Sequence, residues 1–191
     1  MSVLFLGLEL SETIKADLAS YLPTQSKHLR LVKPALFHIT LHYFGEIERE
    51  RVLHVLQQCN QSLICQPFEL TMSSLGYFGK KQKPSVLWAG LDPCDALSNL
   101  HQALIPVMEA CELEVDSRPY HPHITLARGR WRSNPLKKDL DILDAFYRQS
   151  FQPIQYRVNS FVLFESKVTE QGRSYPVIQR FNLKKCRLSE S

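Results

Sequence analysis

Two copies of the tetrapeptide His-Ile-Thr-Leu, called the tetrads, begin at His38 and at His123. Both lie in short runs that alternate between apolar and polar residues, which is the pattern of a β-strand. Side chains alternate between the two faces of a strand, so the first and third residues of each tetrad share one face. Each strand should therefore anchor two aliphatic side chains in a core. Its opposite face should present an imidazole beside a hydroxyl, from Thr40 or Thr125.

Two imidazoles on neighbouring strands can carry out proton-transfer chemistry. Imidazole titrates near neutral pH, so one ring can act as a general base while the other acts as a general acid. The short threonine hydroxyls can donate hydrogen bonds to phosphoryl oxygens. If the strands lie side by side, the four polar side chains predict a cleft that holds a tetrahedral anion without a metal ion. A structural duplication explains the repeated Ile and Leu, but it gives no reason to keep His and Thr.

The rest of the chain divides into short strands and amphipathic helices. Alternation predicts strands at 3–8, 36–44, 68–72, 85–91, 122–128, 157–167 and 175–183. Helical spacing predicts helices from Ser11 to before Pro23, over 48–63, after Asp95 with an interruption at Pro106, and around 136–147. Several neighbouring strands are too close for crossover helices, which favours an α+β fold with antiparallel sheets. No linker separates the segments, so we expect 1–191 to form a single domain.

Composition narrows the class of protein without indicating a function. With 44% hydrophobic and 10% aromatic residues among 191, the chain is predicted to fold rather than remain disordered. No apolar run approaches the roughly 20 residues that span a bilayer, and the opening segment is typical of a first strand rather than a signal peptide. We therefore expect a cytoplasmic protein with no membrane partner. A net charge of +4 is compatible with a polyanionic partner but is too small to establish one.

The cysteines and histidines predict no metal site. Five cysteines without a CxxC pair are predicted to be reduced, mostly buried thiols: Cys59, Cys65, Cys94, Cys111 and Cys186. A zinc site at His121 and His123 is an alternative, because imidazoles are common zinc ligands. Against it, no carboxylate or thiol lies near either tetrad at ligand spacing, and Arg128 would repel a cation. We expect neither a metal nor another cofactor.

Five segments, taken in order, resemble one known family. They are LFLGLELSETIKADL, FHITLHYFGEI, LGYFGKKQKPSVLWAGL, RPYHPHITLARGR and GRSYPVIQRFNL. A lone His-x-Thr-x is weakly specific, but this ordered set covers nearly the whole chain. The chain resembles the two-histidine phosphoesterase superfamily and, within it, the bacterial RNA 2′,3′-cyclic phosphodiesterases, also called 2′-5′ RNA ligases. The resemblance implies a bilobal α+β fold, in which two pseudo-symmetric lobes carry antiparallel sheets that face each other across a central cleft, with helices outside.

The resemblance also implies a reaction, which is hydrolysis of the 2′,3′-cyclic phosphate at an RNA end to a 2′-phosphomonoester. His38 then matches the proton donor and His123 the proton acceptor, although the residues themselves leave that order open. Thr40 and Thr125 match the phosphate-binding threonines of the family. The implied partners are RNA ends bearing a 2′,3′-cyclic phosphate, with tRNA halves as candidates. We expect the chain to act in RNA processing, as a monomer.

Two further residues match binding positions of the family. Arg128 follows His123 by five residues and is implied to clamp the phosphate, and Tyr43 is implied to stack on the terminal base. Simple alternation places both on the wrong face of their strands. Arg128 needs a strand end or a bulge to reach the phosphate, and Tyr43 would lie in the core unless its strand twists or ends nearby.

Other functions stay open beside this one. The same superfamily could act on 2′-5′ oligoadenylates, a small cyclic nucleotide or ADP-ribose cyclic phosphate. A 2′-5′ ligation of RNA ends is the reverse of the hydrolysis and is secondary in dilute water. A non-catalytic RNA-binding module could use the same cleft, but binding alone needs no matched acid and base. The sequence has no GxxxxGK[ST] loop, which argues against an ATP-dependent ligase or kinase.

Overall fold

Short strands interleave with helices along the chain. The computed structural model describes residues 1–62, 65–115, 118–170 and 172–184, and the side chains of these residues except 59–62. The strands are β1 (Ser2–Glu9), β2 (Leu29–Leu31), β3 (His38–Ile47), β4 (Phe68–Lys80), β5 (Lys83–Leu91), β6 (His123–Gly129), β7 (Ile154–Val158), β8 (Ser160–Glu165), β9 (Lys167–Thr169), β10 (Gly172–Ser174) and β11 (Val177–Asn182). The α-helices are α1 (Glu12–Ala19), α2 (Arg49–Ser62), α3 (Asp95–Ala103), α4 (Ile105–Ala110) and α5 (Lys137–Tyr147), and a short 3-10 helix spans Pro34–Leu36.

Local sequence features account for the helix boundaries. Ser11 caps α1, since its hydroxyl oxygen accepts a hydrogen bond from the backbone N–H of Ile14 at 3.3 Å. Pro106 interrupts the helix predicted after Asp95, so that α3 ends at Ala103 and α4 begins at Ile105. Both features lie where the sequence places them.

Two predicted strand regions differ most in extent from the structure. β4 continues to Lys80 and β5 begins at Lys83, so the gap between the strands predicted at 68–72 and 85–91 shrinks to a tight turn. Gly79 has a φ of 88°, a left-handed conformation that lets the strand bend before this turn. The strand predicted over 157–167 is broken into β7, β8 and β9, because the chain changes partner strands at Asn159.

Antiparallel pairing joins nine of the described strands into one sheet. Its order is β11-β8-β1-β3-β6-β5-β4-β7, with β2 paired to β6, while β9 and β10 form a separate two-stranded ribbon. Each strand pair of the sheet is antiparallel. The predicted α+β class with antiparallel strands is confirmed.

The sheet has two halves that meet at one residue pair. β3 and β6 pair at Ile39 and Ile124, and each strand begins one residue earlier, at His38 or His123. Because antiparallel strands run in opposite directions, each strand leaves its partner soon after this pair and enters its own half. The resemblance implies two sheets. The structure instead links the two halves into one hydrogen-bonded path, because the strand starts overlap at this pair.

The sheet curls so that its two halves face each other. β7 pairs with β4 at one end and β8 pairs with β1 in the other half, yet only Asn159 separates β7 from β8 along the chain. Two Cα atoms that flank a single residue lie within about 7.6 Å, so these strands must be neighbours in space. Tyr156 in β7 also donates a hydrogen bond from its hydroxyl to the carbonyl of Glu9 in β1, at 2.5 Å. The curl leaves a cleft between the halves.

The aliphatic residues of both tetrads lie in the main core. Ile39, Leu41, Ile124 and Leu126 are between 0 and 4% exposed. The same core includes helix residues such as Leu100 of α3. Full burial of one such side chain contributes about 1.5–3 kcal/mol to stability. The aliphatic residues of the tetrads therefore pack both halves of the sheet against the helices. The histidines and threonines on the opposite face remain available for chemistry.

Among the described residues, the cysteines form no disulfide bond with one another. Cys111 is buried, whereas Cys65 and Cys94 are partly exposed, so the prediction of burial holds for one of these three. Cys59 and Cys186 lie outside the described side chains. In the part of the chain that the structure describes, no helix is long and apolar enough to cross a membrane.

Candidate active site

His38 and His123 are the first residues of the two strands that join the halves of the sheet. The antiparallel register of those strands places His38 across from Thr125 and Thr40 across from His123. The four side chains lie on the face opposite the core, and all four line one cavity of about 840 Å³. The structure thus brings together the four polar residues that the tetrads present.

Both imidazoles have the same backbone partner. Nδ1 of His38 lies 2.7 Å from the carbonyl oxygen of Leu36, and Nδ1 of His123 lies 2.8 Å from that of His121. A carbonyl oxygen only accepts hydrogen bonds, so Nδ1 must carry the hydrogen in each ring. In the neutral rings the lone pair is therefore on Nε2. The same ring nitrogen of both residues is left to exchange a proton with a bound molecule.

Burial keeps His38 neutral over most of the pH range. Its ring centroid lies 4.9 Å from that of Phe5 and 5.1 Å from that of Tyr175, whose ring meets it edge-on. The pKa of His38 is lowered from 6.5 to about 4, chiefly by desolvation, and positive charge on His123 and Arg128 contributes to this shift. Its backbone hydrogen bond opposes this shift without cancelling it.

The pKa of His123 is lowered by the same physical causes. Desolvation has the largest effect, and positive charge on His121 and Arg128 adds to it, while the backbone hydrogen bond opposes it. The ring of Phe78 stands edge-on to the imidazole, with centroids 4.9 Å apart. Nearby positive charge lowers the pKa of both His38 and His123. An anion bound between the two imidazoles would therefore raise the pKa of both.

A β-bulge follows the threonine of each tetrad. Across from β1 the register shifts at Leu41, and across from β5 the same shift occurs at Leu126. The extra residue reverses the alternation beyond it, so Tyr43 and Arg128 turn from the core face to the cavity, which both of them line. Tyr43 is 62% exposed. Simple alternation was wrong for Tyr43 for this reason, and the bulge that Arg128 requires is present.

The family follows from comparison with known proteins. A family model described as the 2′-5′ RNA ligase superfamily matches residues 9–170, which include both tetrads. The chain belongs to the 2′-5′ RNA ligase superfamily. The resemblance inferred from the five sequence segments is thereby confirmed.

Two relatives that share one name match most of the chain. The RNA 2′,3′-cyclic phosphodiesterase of Thermotoga maritima is 24% identical over 178 residues, which cover 91% of this chain and 91% of that protein. The protein of the same name from Methanocaldococcus jannaschii is 25% identical over 185 residues, covering 93% of this chain and 99% of its own length. The likeness thus spans nearly the full length of both relatives.

Solved structures show the same fold. E. coli LigT complexed with 3′-AMP superposes with a TM-score of 0.74 at 23% identity, covering 96% of this chain and 99% of that one. TT0787 of Thermus thermophilus gives a TM-score of 0.71 at 22% identity, covering 95% and 97%. At these identities the likeness establishes the fold alone, which agrees with the α+β fold inferred above.

One wall of the cavity in this superfamily member contains residues that no pattern predicted. His101 lies on α3 and Tyr120 on the segment before β6, and both line the cavity. His42, which shares the alternation of His38, is buried against this wall, and its Nε2–H donates to the carbonyl of His101 at 2.8 Å. Sequence spacing could not predict that His101 lines the cavity, because the residues it contacts, His42 and Tyr120, are distant from it in the chain. Tyr120 lies three residues before His123, and this closeness in sequence was the one feature that could have predicted its place in the cavity wall.

The donor set gives no support to the zinc alternative. Among the described residues, no group of three or more His, Cys, Asp or Glu side chains could hold a metal ion. The rings of His121 and His123 have centroids 6.4 Å apart, and Nδ1 of His123 is already bonded to the carbonyl of His121. The arrangement fits proton transfer and anion binding instead.

Proposed function

We propose that this member of the 2′-5′ RNA ligase superfamily is an RNA 2′,3′-cyclic phosphodiesterase that hydrolyses a terminal 2′,3′-cyclic phosphate to a 2′-phosphomonoester. The observation that carries the proposal is the shared geometry of His38 and His123. Both rings fix their hydrogen on Nδ1 and line one cavity with Thr40 and Thr125. The relatives described above carry the name of this activity over more than nine-tenths of the chain.

The reaction requires one proton to be removed and one to be supplied. His123, neutral at Nε2, takes a proton from water as the water oxygen bonds to phosphorus. The bond between phosphorus and the 3′ oxygen breaks, and His38, protonated at Nε2, gives its proton to that oxygen. The products are a 2′-phosphate and a free 3′ hydroxyl. Each of the two proton transfers typically contributes about 10²–10⁴-fold to the rate.

The threonines stabilise charge on the non-bridging oxygens. Because Thr125 lies across from His38 and Thr40 across from His123, each imidazole has a hydroxyl donor from the other half of the sheet beside it. A phosphate held by both hydroxyls must therefore sit between the imidazoles. Donors aimed at developing negative charge typically contribute about 10²–10³-fold each.

Arg128 and Tyr43 bind the two ends of the terminal nucleotide. The guanidinium of Arg128 clamps the phosphate, and the exposed ring of Tyr43 stacks on the base. Stacking is tolerant of base identity, since every base has an aromatic face. Binding of the anion also raises the pKa of His38 and His123, which supplies the protonated acid that the free protein holds only at low pH.

The substrate class is RNA with a 2′,3′-cyclic phosphate at its end, and tRNA halves belong to this class. Joining such ends through a 2′-5′ linkage is the same chemistry run in reverse. We place this reaction in the cytoplasm, in RNA processing, with residues 1–191 acting as one monomeric domain. No metal or other cofactor takes part.

The test is turnover of a short RNA that ends in a 2′,3′-cyclic phosphate, with excess EDTA present. Phosphorus NMR of the product locates the phosphate on the 2′ or the 3′ oxygen. We expect a 2′-phosphate from the wild type and a loss of at least about 10²-fold in kcat for His38→Ala and for His123→Ala. His54→Ala is the matched control, because His54 is exposed on α2 and lies outside the cavity.

Turnover that persists in both histidine variants would remove the enzymatic assignment and leave the RNA-binding module. Loss of wild-type turnover on adding EDTA would show that the reaction needs a metal ion. A higher kcat/KM on a 2′-5′ oligoadenylate or a small cyclic nucleotide would replace the substrate class while keeping the chemistry.

A further inference from the structure

Three rings stack face to face beside the tetrads. The centroids of His42 and His101 lie 4.2 Å apart with the rings inclined by 16°, and those of His101 and Tyr120 lie 3.9 Å apart at 12°. These residues, called the ring stack, come from β3, from α3 and from the segment before β6. The ring stack therefore joins three separate stretches of chain at one wall of the cavity.

One hydrogen bond of the ring stack connects the first tetrad to the segment that precedes the second tetrad. The hydroxyl of Tyr120 donates to the carbonyl oxygen of Thr40 at 2.8 Å. Thr40 lies two residues after His38, and Tyr120 lies three residues before His123. Burial raises the pKa of the Tyr120 hydroxyl, so it keeps its proton and its donor role at every working pH.

The two halves of the sheet need such a connection. Among the described residues, the ladder between β3 and β6 consists of the pair Ile39 and Ile124. A single pair holds two strands together but leaves them free to splay, whereas a second attachment point fixes the angle between them. The bond from Tyr156 to Glu9 joins the halves at β7 and β1. The bond from Tyr120 to Thr40 is a second attachment beside the pair of Ile39 and Ile124, where both of its residues line the cavity.

We propose that Tyr120 is a positioning residue that fixes the separation of His38 and His123, acting through the carbonyl of Thr40 and held in place by its stacking on His101. The inference rests on the proposed function, because it concerns the pair of histidines that would carry the reaction. Tyr120 itself makes no contact with the reacting atoms in this role. A displacement of about 1 Å between catalytic groups can cost about 10²-fold in rate.

The decisive variant is Tyr120→Phe, which removes the hydroxyl and keeps the stacked ring. Tyr147→Phe is the matched control, since the hydroxyl of Tyr147 donates to the carbonyl of Lys81, also at 2.8 Å, away from the cavity. We expect kcat on the cyclic-phosphate RNA to fall at least about tenfold in Tyr120→Phe with KM within about twofold. In Tyr147→Phe both constants should stay within about twofold of the wild type. Each variant loses one hydrogen bond, so Tm should fall by a similar amount in Tyr147→Phe and Tyr120→Phe.

A second readout does not depend on turnover. The imidazole Cε1–H signals of His38 and His123, followed by NMR through a pH titration, report the repulsion between the rings. We expect Tyr120→Phe to change both titration midpoints and Tyr147→Phe to change neither. His101→Ala, which removes the ring under Tyr120, should act in the same direction as Tyr120→Phe.

The outcomes separate the two proposals. Unchanged kcat and unchanged midpoints in Tyr120→Phe would make its hydroxyl merely structural, whatever its effect on Tm. Equal losses of kcat in Tyr120→Phe and Tyr147→Phe would also overturn the positioning role. If the wild type fails to turn over the RNA, the proposed function falls, while the two midpoints still decide whether Tyr120 sets the separation of the rings.

Discussion

Tyr43 and Arg128 occupy equivalent places in the two halves of the sheet. Each lies five residues after the histidine of its tetrad, and each is turned towards the cavity by a bulge at the tetrad's leucine, Leu41 or Leu126. One backbone device thus delivers an aromatic ring on one side of the cavity and a cation on the other. The pseudo-symmetry of the fold is kept in the backbone, while the two side chains at this place have different chemistry.

Replacing Arg128 should weaken catalysis, because negative charge that develops on the phosphate loses a positively charged hydrogen-bond donor. We expect Arg128→Gln to lower kcat/KM by about 10²–10³-fold, since a positioned donor at developing charge is worth that much, and Arg128→Lys to recover part of it. Arg30→Gln is the control, because Arg30 pairs with Arg128 across β2 and β6 but does not line the cavity. Equal losses in the Arg128 and Arg30 variants would reduce Arg128 to a general contribution to surface charge.

Replacing Tyr43 should weaken binding and leave the chemical step intact. Stacking of a base on an aromatic ring is worth about 1–3 kcal/mol, so Tyr43→Ala should raise KM by about tenfold with little change in kcat. Tyr43→Phe keeps the ring and should behave like the wild type. The ring is 62% exposed, so Tm should change little in either variant. A KM that is the same for Ala and Phe at this position would exclude stacking.

The common cavity of the tetrad histidines and threonines could be predicted from the sequence, but the position of Tyr43 could not. Alternation places His38 and Thr40 on one face, because two residues of a strand are enough to define it. The bulge at Leu41 arises from its register against β1, a separate strand that comes earlier in the chain. Periodicity within one strand carries no record of its partner's register, so the expected burial of Tyr43 was wrong.

Contacts across the cavity escaped prediction for the same reason. The stacking of His101 on Tyr120 and the hydrogen bond from Tyr120 to Thr40 join residues from α3, β3 and the segment before β6. No spacing rule relates these positions, since only the curl of the sheet brings them together. Short-range features, such as the cap at Ser11 and the interruption at Pro106, depend on neighbouring residues and could be predicted.

The order of acid and base can be decided with a better leaving group. In a substrate whose 3′ bridging oxygen is replaced by sulfur, the departing thiolate needs no proton, because its pKa is about 8.5. We expect His38→Ala to recover most of its lost kcat on this substrate and His123→Ala to recover none. Recovery in His123→Ala alone would exchange the two roles. Recovery in neither variant would mean that no acid protonates the departing group.

The rate should depend on pH with a bell shape. The reactive free protein holds one proton on the pair, and the pKa of both His38 and His123 lies below 6.5. The singly protonated form is therefore most abundant on the acidic side of 6.5, where kcat/KM should peak. A bound anion raises both pKa values, so kcat should peak at a higher pH than kcat/KM. A rate that changes in one direction only, from about pH 4 to about pH 9, would contradict a histidine pair.

The burial of His38 should also make the fold sensitive to acid. The pKa of its imidazole falls from 6.5 in the unfolded chain to about 4 in the folded protein. Between these values the unfolded chain binds the proton more tightly, so the free energy of unfolding falls as the pH drops from 6.5 towards 4. Each pKa unit corresponds to about 1.4 kcal/mol, so this one group can account for roughly 2–3 kcal/mol.

His38→Phe removes the titrating group and keeps a ring beside Phe5 and Tyr175. Urea unfolding of the variant and the wild type at about pH 8, where the imidazole is neutral in both states, measures the packing difference alone. The same comparison at about pH 4.5 should then favour the variant by a further amount of about 1–3 kcal/mol, since only the wild type loses stability through this proton. An identical difference at the two pH values would mean that His38 has the same pKa folded and unfolded, and thus that its ring is as hydrated in the cavity as in the open chain.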